Sequence, residues 1–228
     1  MILRVVRMPE GSAIIELMPT TSITAVSALQ FLPAKISINP LREAARSCQG
    51  CPLFKDATQT VFGEGRRSAR ALLVGEQPGH DEDLQGQPFV GPAGRVLDEG
   101  LEAAGISRAE TYVTNVVKHF KWIPKGKRRI HKKPSAREIA ACLPWLEKEI
   151  DVIKPQVLVC LGATAAQALL GRDFKVSVQR GQVISTPVAP RAVATVHPSS
   201  ILRQQSAQER RREMDRFTAD LKVVAAFL

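Results

Sequence analysis

The residues of this chain with most chemical promise stand in short, separate motifs. Glu76 lies in GEQPG (75–79), where flanking glycines let a ligand approach the carboxylate without side-chain bulk in the way. His197 opens HPSSILR (197–203), in which Ser199 or Ser200 could cap a following helix. A neutral imidazole, or the amides at that helix start, could stabilise an anionic leaving group. His131 stands in KGKRRIHKKP (125–134) among Lys125, Lys127, Arg128, Arg129, Lys132 and Lys133. Surrounding cations disfavour a protonated imidazole and keep it nucleophilic. Cys48 and Cys51 form a C-x-x-C pair, a spacing at which two thiolates chelate one metal. Cys142 on a helix and His119 beside the basic run are candidates to complete the set. Cys160, inside VLVCLG, reads as a small core hydrophobe. Zinc and an iron–sulfur cluster both fit this donor set. Each motif also has a plainer reading: GEQPG as a tight turn, HPSS as a helix cap, His131 as a phosphate contact.

Positioning these groups requires a scaffold, and the pattern from Pro40 onward supplies one. RALLVG (70–75), TYVTNVV (111–117), QVLVCLG (156–162) and RAVATV (191–196) read as buried strands. PAGRVLDEGLEAAG (92–105), the run 134–155, ATAAQALLG (163–171) and the C-terminus read as helices, the second opened by Ser135 and Glu138 in capping-box spacing and kinked or broken near Pro144. Alternating strands and helices predict a three-layer α/β/α fold with a central, mainly parallel sheet. In such sheets the site lies at the carboxyl ends of the strands, so the loops after 75, 115 and 196 should converge. Residues 1–38 show little periodicity and are set apart as an extension, to be read as an extra strand, a disordered arm or a misassigned start; residues 39–228 form the domain.

The chain has 228 residues and a formal charge of +10, with cations clustered over 118–133, which points to a polyanionic partner, nucleic acid above all. Lys127, Arg128 and Arg129, with Arg203, are the candidate phosphate contacts. Gln204–Arg216 mixes signs and reads as a solvated helix face. No stretch is long and apolar enough for a membrane span, no secretory signal is evident, and a cytoplasmic monomer is expected.

GEQPGHDEDLQGQPFVGPAGRVLD, YVTNVVKHFKW, ACLPWL and VATVHPSSILR, in this order, resemble the iron–sulfur uracil-DNA glycosylases of the family-four type, over about residues 41–225. KRRIH (127–131) resembles the loop that distinguishes their X-type branch. The resemblance implies excision of uracil from DNA; uracil-containing DNA, single-stranded for preference, is the expected partner. It makes Glu76 the support for bond cleavage from the sugar side, Phe89 the ring on which uracil stacks and Asn115 the reader of its edge. His197 becomes the donor to a uracil oxygen. Gln77 and Phe89 are candidates for rejecting the thymine methyl, and Ser199 lies with them in the substrate site. Cys48, Cys51, Cys142 and His119 would hold a [4Fe-4S] cluster. His131 would attack the sugar and stay attached, where a conventional enzyme uses water. A third reading is a metal-stabilised DNA-binding module without chemistry. Cys160 and His80 depart from the family pattern.

Overall fold

The structure, a computed structural model, describes residues 3–7, 13–17 and 26–228. Two antiparallel strands, β1 (Leu3–Arg7) and β2 (Ala13–Leu17), lie in the expected extension, whose remaining residues up to 25 fall outside the described ones. A 3-10 turn, Ala28–Phe31, and α1 (Ile38–Ala45) follow. Ala28 is buried in the main core, and the backbone of Ser27 and Ala28 presses on Gly50, where a Cβ would lie 2.6 Å from the Ala28 nitrogen. Residues just before the expected domain boundary thus pack on the Cys48–Cys51 loop.

The central sheet comprises β3 (Glu64–Gly65), β4 (Ala71–Gly75), β5 (Thr111–Asn115), β8 (Val157–Leu161), β9 (Val183–Ile184) and β10 (Arg191–Thr195). Their order is β3-β5-β4-β8-β10-β9; the four central strands are parallel and the two short edges antiparallel. A separate hairpin, β6 (Trp122–Lys125) and β7 (Arg128–His131), leaves the end of β5. The helices are α2 (His80–Gln85), α3 (Pro92–Ala103), α4 (Ala136–Ile153), α5 (Ala163–Leu170), α6 (Val176–Gln179), α7 (Pro198–Leu202) and α8 (Ala207–Ala225).

Alternation along the strands explains the layers. Leu72, Val74, Leu158 and Cys160 point into one core with Trp145 and Leu146 of α4. Ala71, Leu73, Val157, Val159 and Leu161 point into the other with Leu97 and Leu101 of α3 and Phe217 and Leu221 of α8. Both faces being covered, the strands are apolar throughout. This is the expected α/β/α arrangement. Cys160 is fully buried on the central strand, and burial pushes its thiol up to about 12, as suits a core residue.

Two local expectations are corrected. The break expected near Pro144 does not occur, and α4 continues to Ile153: Cys142, Trp145, Leu146, Ile150 and Ile153 are buried along it, and that packing outweighs one missing N–H. The cap of α7 is neither serine but the imidazole of His197, whose Nδ1 accepts from the Ser199 amide at 3.2 Å. Among the described residues no helix is long and apolar enough to cross a membrane.

Candidate active site

β4 ends at Gly75, and the next residue is Glu76. The ladder continues past β5, so the Val116 and Val117 amides donate to the carbonyls of Gly75 and Glu76, each at 3.0 Å, and fix the start of the GEQPG turn. Glu82, buried in α2, accepts from Gly79 N–H at 3.0 Å and Gly91 N–H at 2.8 Å, joining this turn to the loop that carries Phe89. Phe89 is buried with φ +57, left-handed backbone rare for an aromatic residue; such strain is held only by its surroundings and clusters at functional sites. Its ring lies near-parallel to His197, centroids 5.8 Å apart. Gly75 is required here, because a Cβ would stand 2.3 Å from Asn115 Oδ1 and 2.6 Å from Phe89 Cζ. The close approach leaves Asn115 beside the aromatic ring, as a slot for a flat ligand needs.

Asn115 is 2% exposed, and its Oδ1 is the one buried side-chain oxygen or nitrogen among the described residues without a hydrogen-bond partner. A buried acceptor left unmet costs about 1–3 kcal/mol, so it marks where a ligand donor belongs. Its backbone is held from below: Lys118 Nζ donates to the Asn115 carbonyl at 2.7 Å, Thr114 Oγ1 at 2.6 Å and Glu149 Oε2 at 2.5 Å. Lys118 is fully buried, so this member of the basic run is an internal strut and not a surface cation.

His197 is neutral, its pKa lowered to about 4 by burial first, then by Arg203 and His131. Since Nδ1 accepts from Ser199 N–H, the ring proton sits on Nε2, which can donate. Ser199 Oγ lies 2.8 Å from the same Nδ1 and accepts from Arg203 Nη1 at 2.8 Å. Ser199 and Arg203 therefore fix the imidazole. Arg203 itself is exposed.

The KRRIH segment is a hairpin strand, not an irregular loop. Gly126 at φ +58 begins its two-residue turn, placing positive φ on the first loop residue as a type II′ turn does. The pleat sends alternate side chains opposite ways. His131 and Arg129 share one face of β7, turned toward Glu76 and Asp83, and Ile130 lies on the other. His131 Nε2 stands 3.6 Å from Glu76 Oε1, half-exposed, with the Phe120 ring centroid 6.2 Å away. Burial lowers its pKa, Glu76 opposes that, and Arg203 adds to it. The cation that matters most is thus across the cleft and not within the KRRI run.

Two further expectations change. Arg129 is no free phosphate contact: Nη1 meets Asp83 Oδ2 at 2.6 Å, Nε donates to His80 Nδ1 at 3.0 Å, and the guanidinium lies 5.4 and 5.5 Å from the Phe120 and Trp122 ring centroids. Lys127 and Arg128 remain exposed at the tip. Gln77 is 6% exposed, and its amide is spent on backbone groups. Its Nε2 donates to the carbonyls of Lys121 and Lys132 at 3.1 and 3.2 Å, and its Oε1 accepts from Lys121 N–H at 3.2 Å. Gln77 ties both ends of the hairpin to the residue beside Glu76.

Residues 62–222 match the family model of the uracil DNA glycosylase superfamily. The chain belongs to that superfamily. It is 39% identical over 170 residues to a type-4 uracil-DNA glycosylase of Thermotoga maritima, covering 74% of this chain and 85% of that protein. It is 35% identical over 178 residues to the type-4 enzyme of Pyrobaculum aerophilum, covering 74% and 86%. A type-5 enzyme of Thermus thermophilus is 34% identical over 140 residues, covering 55% and 59%.

Relative to this uracil DNA glycosylase site, the cysteines lie next to the segment that follows the C-terminal end of β5, reached through Lys118, three residues past Asn115. Cys48, Cys51 and Cys142 are buried, unpaired and close enough that each of the first two disfavours ionisation of the third. Burial pushes Cys142 up to about 12, Lys118 opposing it, so the thiol ionises only against a strong cation. Two N–H groups already point at the sulfurs: Trp145 Nε1 to Cys48 at 3.3 Å and the Lys118 amide to Cys142 at 3.2 Å. Among the described residues no three His, Cys, Asp or Glu side chains are grouped to hold a single metal ion. A cluster, whose ligands bind separate irons, asks for wider spacing than one ion. His119 is neutral, lowered to about 4 by burial. Thr60 Oγ1 spends its proton on the Ala45 carbonyl at 2.8 Å and therefore accepts from His119 Nε2 at 2.9 Å. Nδ1 is left with the free lone pair, the usual state of a ligating histidine.

Sequence reasoning missed Glu82, whose capping spacing from Gly79 was legible. It also missed Thr164, whose hydroxyl donates to Glu76 Oε2 from the first turn of α5. No motif advertised that residue.

Proposed function

We propose that this protein excises uracil from DNA and captures the resulting sugar on His131. The observation that carries the reading is the placement of His131 Nε2 3.6 Å from Glu76 Oε1, at the rim of a slot holding Phe89, Asn115 and His197. A base in a duplex must be extruded to enter such a slot, so single-stranded uracil DNA is the favoured substrate. The exposed Lys127, Arg128 and Arg203 hold its phosphates.

Uracil stacks on Phe89. Asn115 Oδ1 accepts from N3–H, and its amide N–H donates to the adjacent oxygen. The C1′–N1 bond breaks with its electron pair moving to uracil, whose growing charge meets the His197 Nε2–H. Glu76 faces the cation-like sugar carbon. Nε2 of His131, its proton on Nδ1, gives its lone pair to C1′. The imidazolium so formed loses the Nδ1 proton, and net that proton ends on the departing uracil. An N-alkylated imidazole is a poor leaving group, so the adduct persists.

Cys48, Cys51, Cys142 and His119 would hold a [4Fe-4S] cluster, which supplies a structural cross-link between the Cys48–Cys51 loop, the end of β5 and α4. The test is His131→Ser. Wild-type protein should give a heat-stable one-to-one adduct with uracil-containing single strands and none with uracil-free DNA. The variant should release uracil with turnover. DNA mapped to another residue, or free abasic sites from wild type, would leave a conventional water-using glycosylase as the correct reading. Binding without any uracil release would leave a DNA-binding module.

A further inference from the structure

We infer that Thr164 is a positioning residue for Glu76, which makes the β8–α5 loop a fourth catalytic loop. The inference rests on the excision reading above. In the sheet order β8 lies between β4, which delivers Glu76, and β10, which delivers His197. Its C-terminal turn is therefore wedged between the two. Gly162 ends the strand at φ +93, and a Cβ there would stand 2.9 Å from His197 Cβ, so the turn packs directly on the histidine. Two residues later Thr164 enters the first turn of α5, 6% exposed.

A threonine at such a position commonly bonds to nearby backbone, capping or bending its own helix. Thr164 does neither. α5 has Gly162 as its N-cap without any side-chain cap, and the Thr164 hydroxyl donates across the sheet edge to Glu76 Oε2. The other oxygen, Oε1, is then the one that faces His131 Nε2. An untethered carboxylate could rotate about Cγ–Cδ and swing from the sugar carbon. Held at one oxygen, it presents the second where positive charge develops, with no reorganisation left for the moment of reaction.

The experiment compares wild type, Thr164→Val, Thr164→Ser, Glu76→Gln and the double variant Thr164→Val/Glu76→Gln. Uracil release from single-stranded DNA is followed under single turnover, and DNA affinity by fluorescence anisotropy. Thr164→Val, isosteric but without a donor, should slow release about 10- to 100-fold, as loss of a hydrogen bond to a charged group implies. Its DNA affinity should be unchanged. Thr164→Ser should recover most of the rate. In the Glu76→Gln background the valine substitution should add little further loss. If Thr164→Val fails to fold, Thr164→Ala carries the same expectation. A valine variant as fast as an active wild type, or one that slows Glu76→Gln as much as it slows wild type, overturns the role. Wild-type protein that releases no uracil overturns the excision reading, and this role with it.

Discussion

Replacing Gln77 by leucine tests whether this side chain reads the base or holds the hairpin. The substitution keeps the volume and removes three hydrogen bonds to the backbone of Lys121 and Lys132. At about 1 kcal/mol each the loss is about 3 kcal/mol. That raises the local opening of the hairpin on the order of a hundredfold. Amide hydrogen exchange followed by mass spectrometry should show the loss over 121–132, with β4, β5 and β8 unchanged. His131 would wander from its place opposite Glu76, and a displacement near 1 Å costs on the order of a hundredfold in rate. Capture should therefore fall steeply, while excision, whose groups stand on other loops, falls less; the product shifts from adduct toward free abasic site. Unchanged hairpin exchange combined with weaker binding of uracil DNA, or with loss of selectivity against thymine, would refute the reasoning and return Gln77 to the pocket.

Asn115→Ala should lose excision by about 10- to 100-fold, because the ligand's N3–H then has no acceptor, while salt-sensitive DNA binding persists; a variant that cleaves normally would remove Asn115 from the pocket. His197 titrates near pH 4 folded and near 6.5 unfolded. Between those values the unfolded chain binds a proton that the folded one does not, so stability present above pH 6.5 is lost as pH falls toward 4, by at most about 3 kcal/mol. Thermal melts should show a shallower acid loss in His197→Gln than in wild type, and equal slopes would contradict the buried neutral imidazole. Purified protein should be brown and contain iron and sulfide; colourless protein with one zinc per chain would refute the cluster, and an intact cluster in His119→Ala would refute that ligand.

The strands, helices and three strand-end motifs were legible because each is written locally. Glycine and proline bound the loops, and apolar runs mark strands buried on both faces. What was hidden depends on contacts distant in sequence. Lys118 looked like one more cation of the basic run, and only Glu149, thirty-one residues on, reveals a buried strut. Arg129 was read as a phosphate contact, but the pleat of β7 sets it on the face that meets Asp83 and His80. Gln77 looked like a pocket residue from its neighbour Glu76, yet its partners are backbone atoms forty-four and fifty-five residues away. Thr164 lay within an ordinary helix start, and its partner is eighty-eight residues distant.

These long-range contacts divide the site into two mechanical parts. Glu76, Phe89, Asn115, Thr164 and His197 stand on loops rooted in the parallel sheet, whose strands are buried on both faces. His131 stands on a two-stranded hairpin, and such a hairpin is at best marginal alone. Its place is set from outside, by Gln77 at its base and by Arg129 locked to Asp83 and His80. Base excision and sugar capture should then respond to different substitutions. Damage to the sheet-rooted loops removes both, since no cation forms to be captured. Loosening either hairpin tether removes capture first. Arg129→Met would break the Asp83 pair and leave a buried carboxylate without its cation, so it should detach the hairpin more severely than Gln77→Leu. If Arg129→Met instead slowed excision as much as capture, with the adduct fraction of the product unchanged, the two parts would not be separable and this division would be wrong.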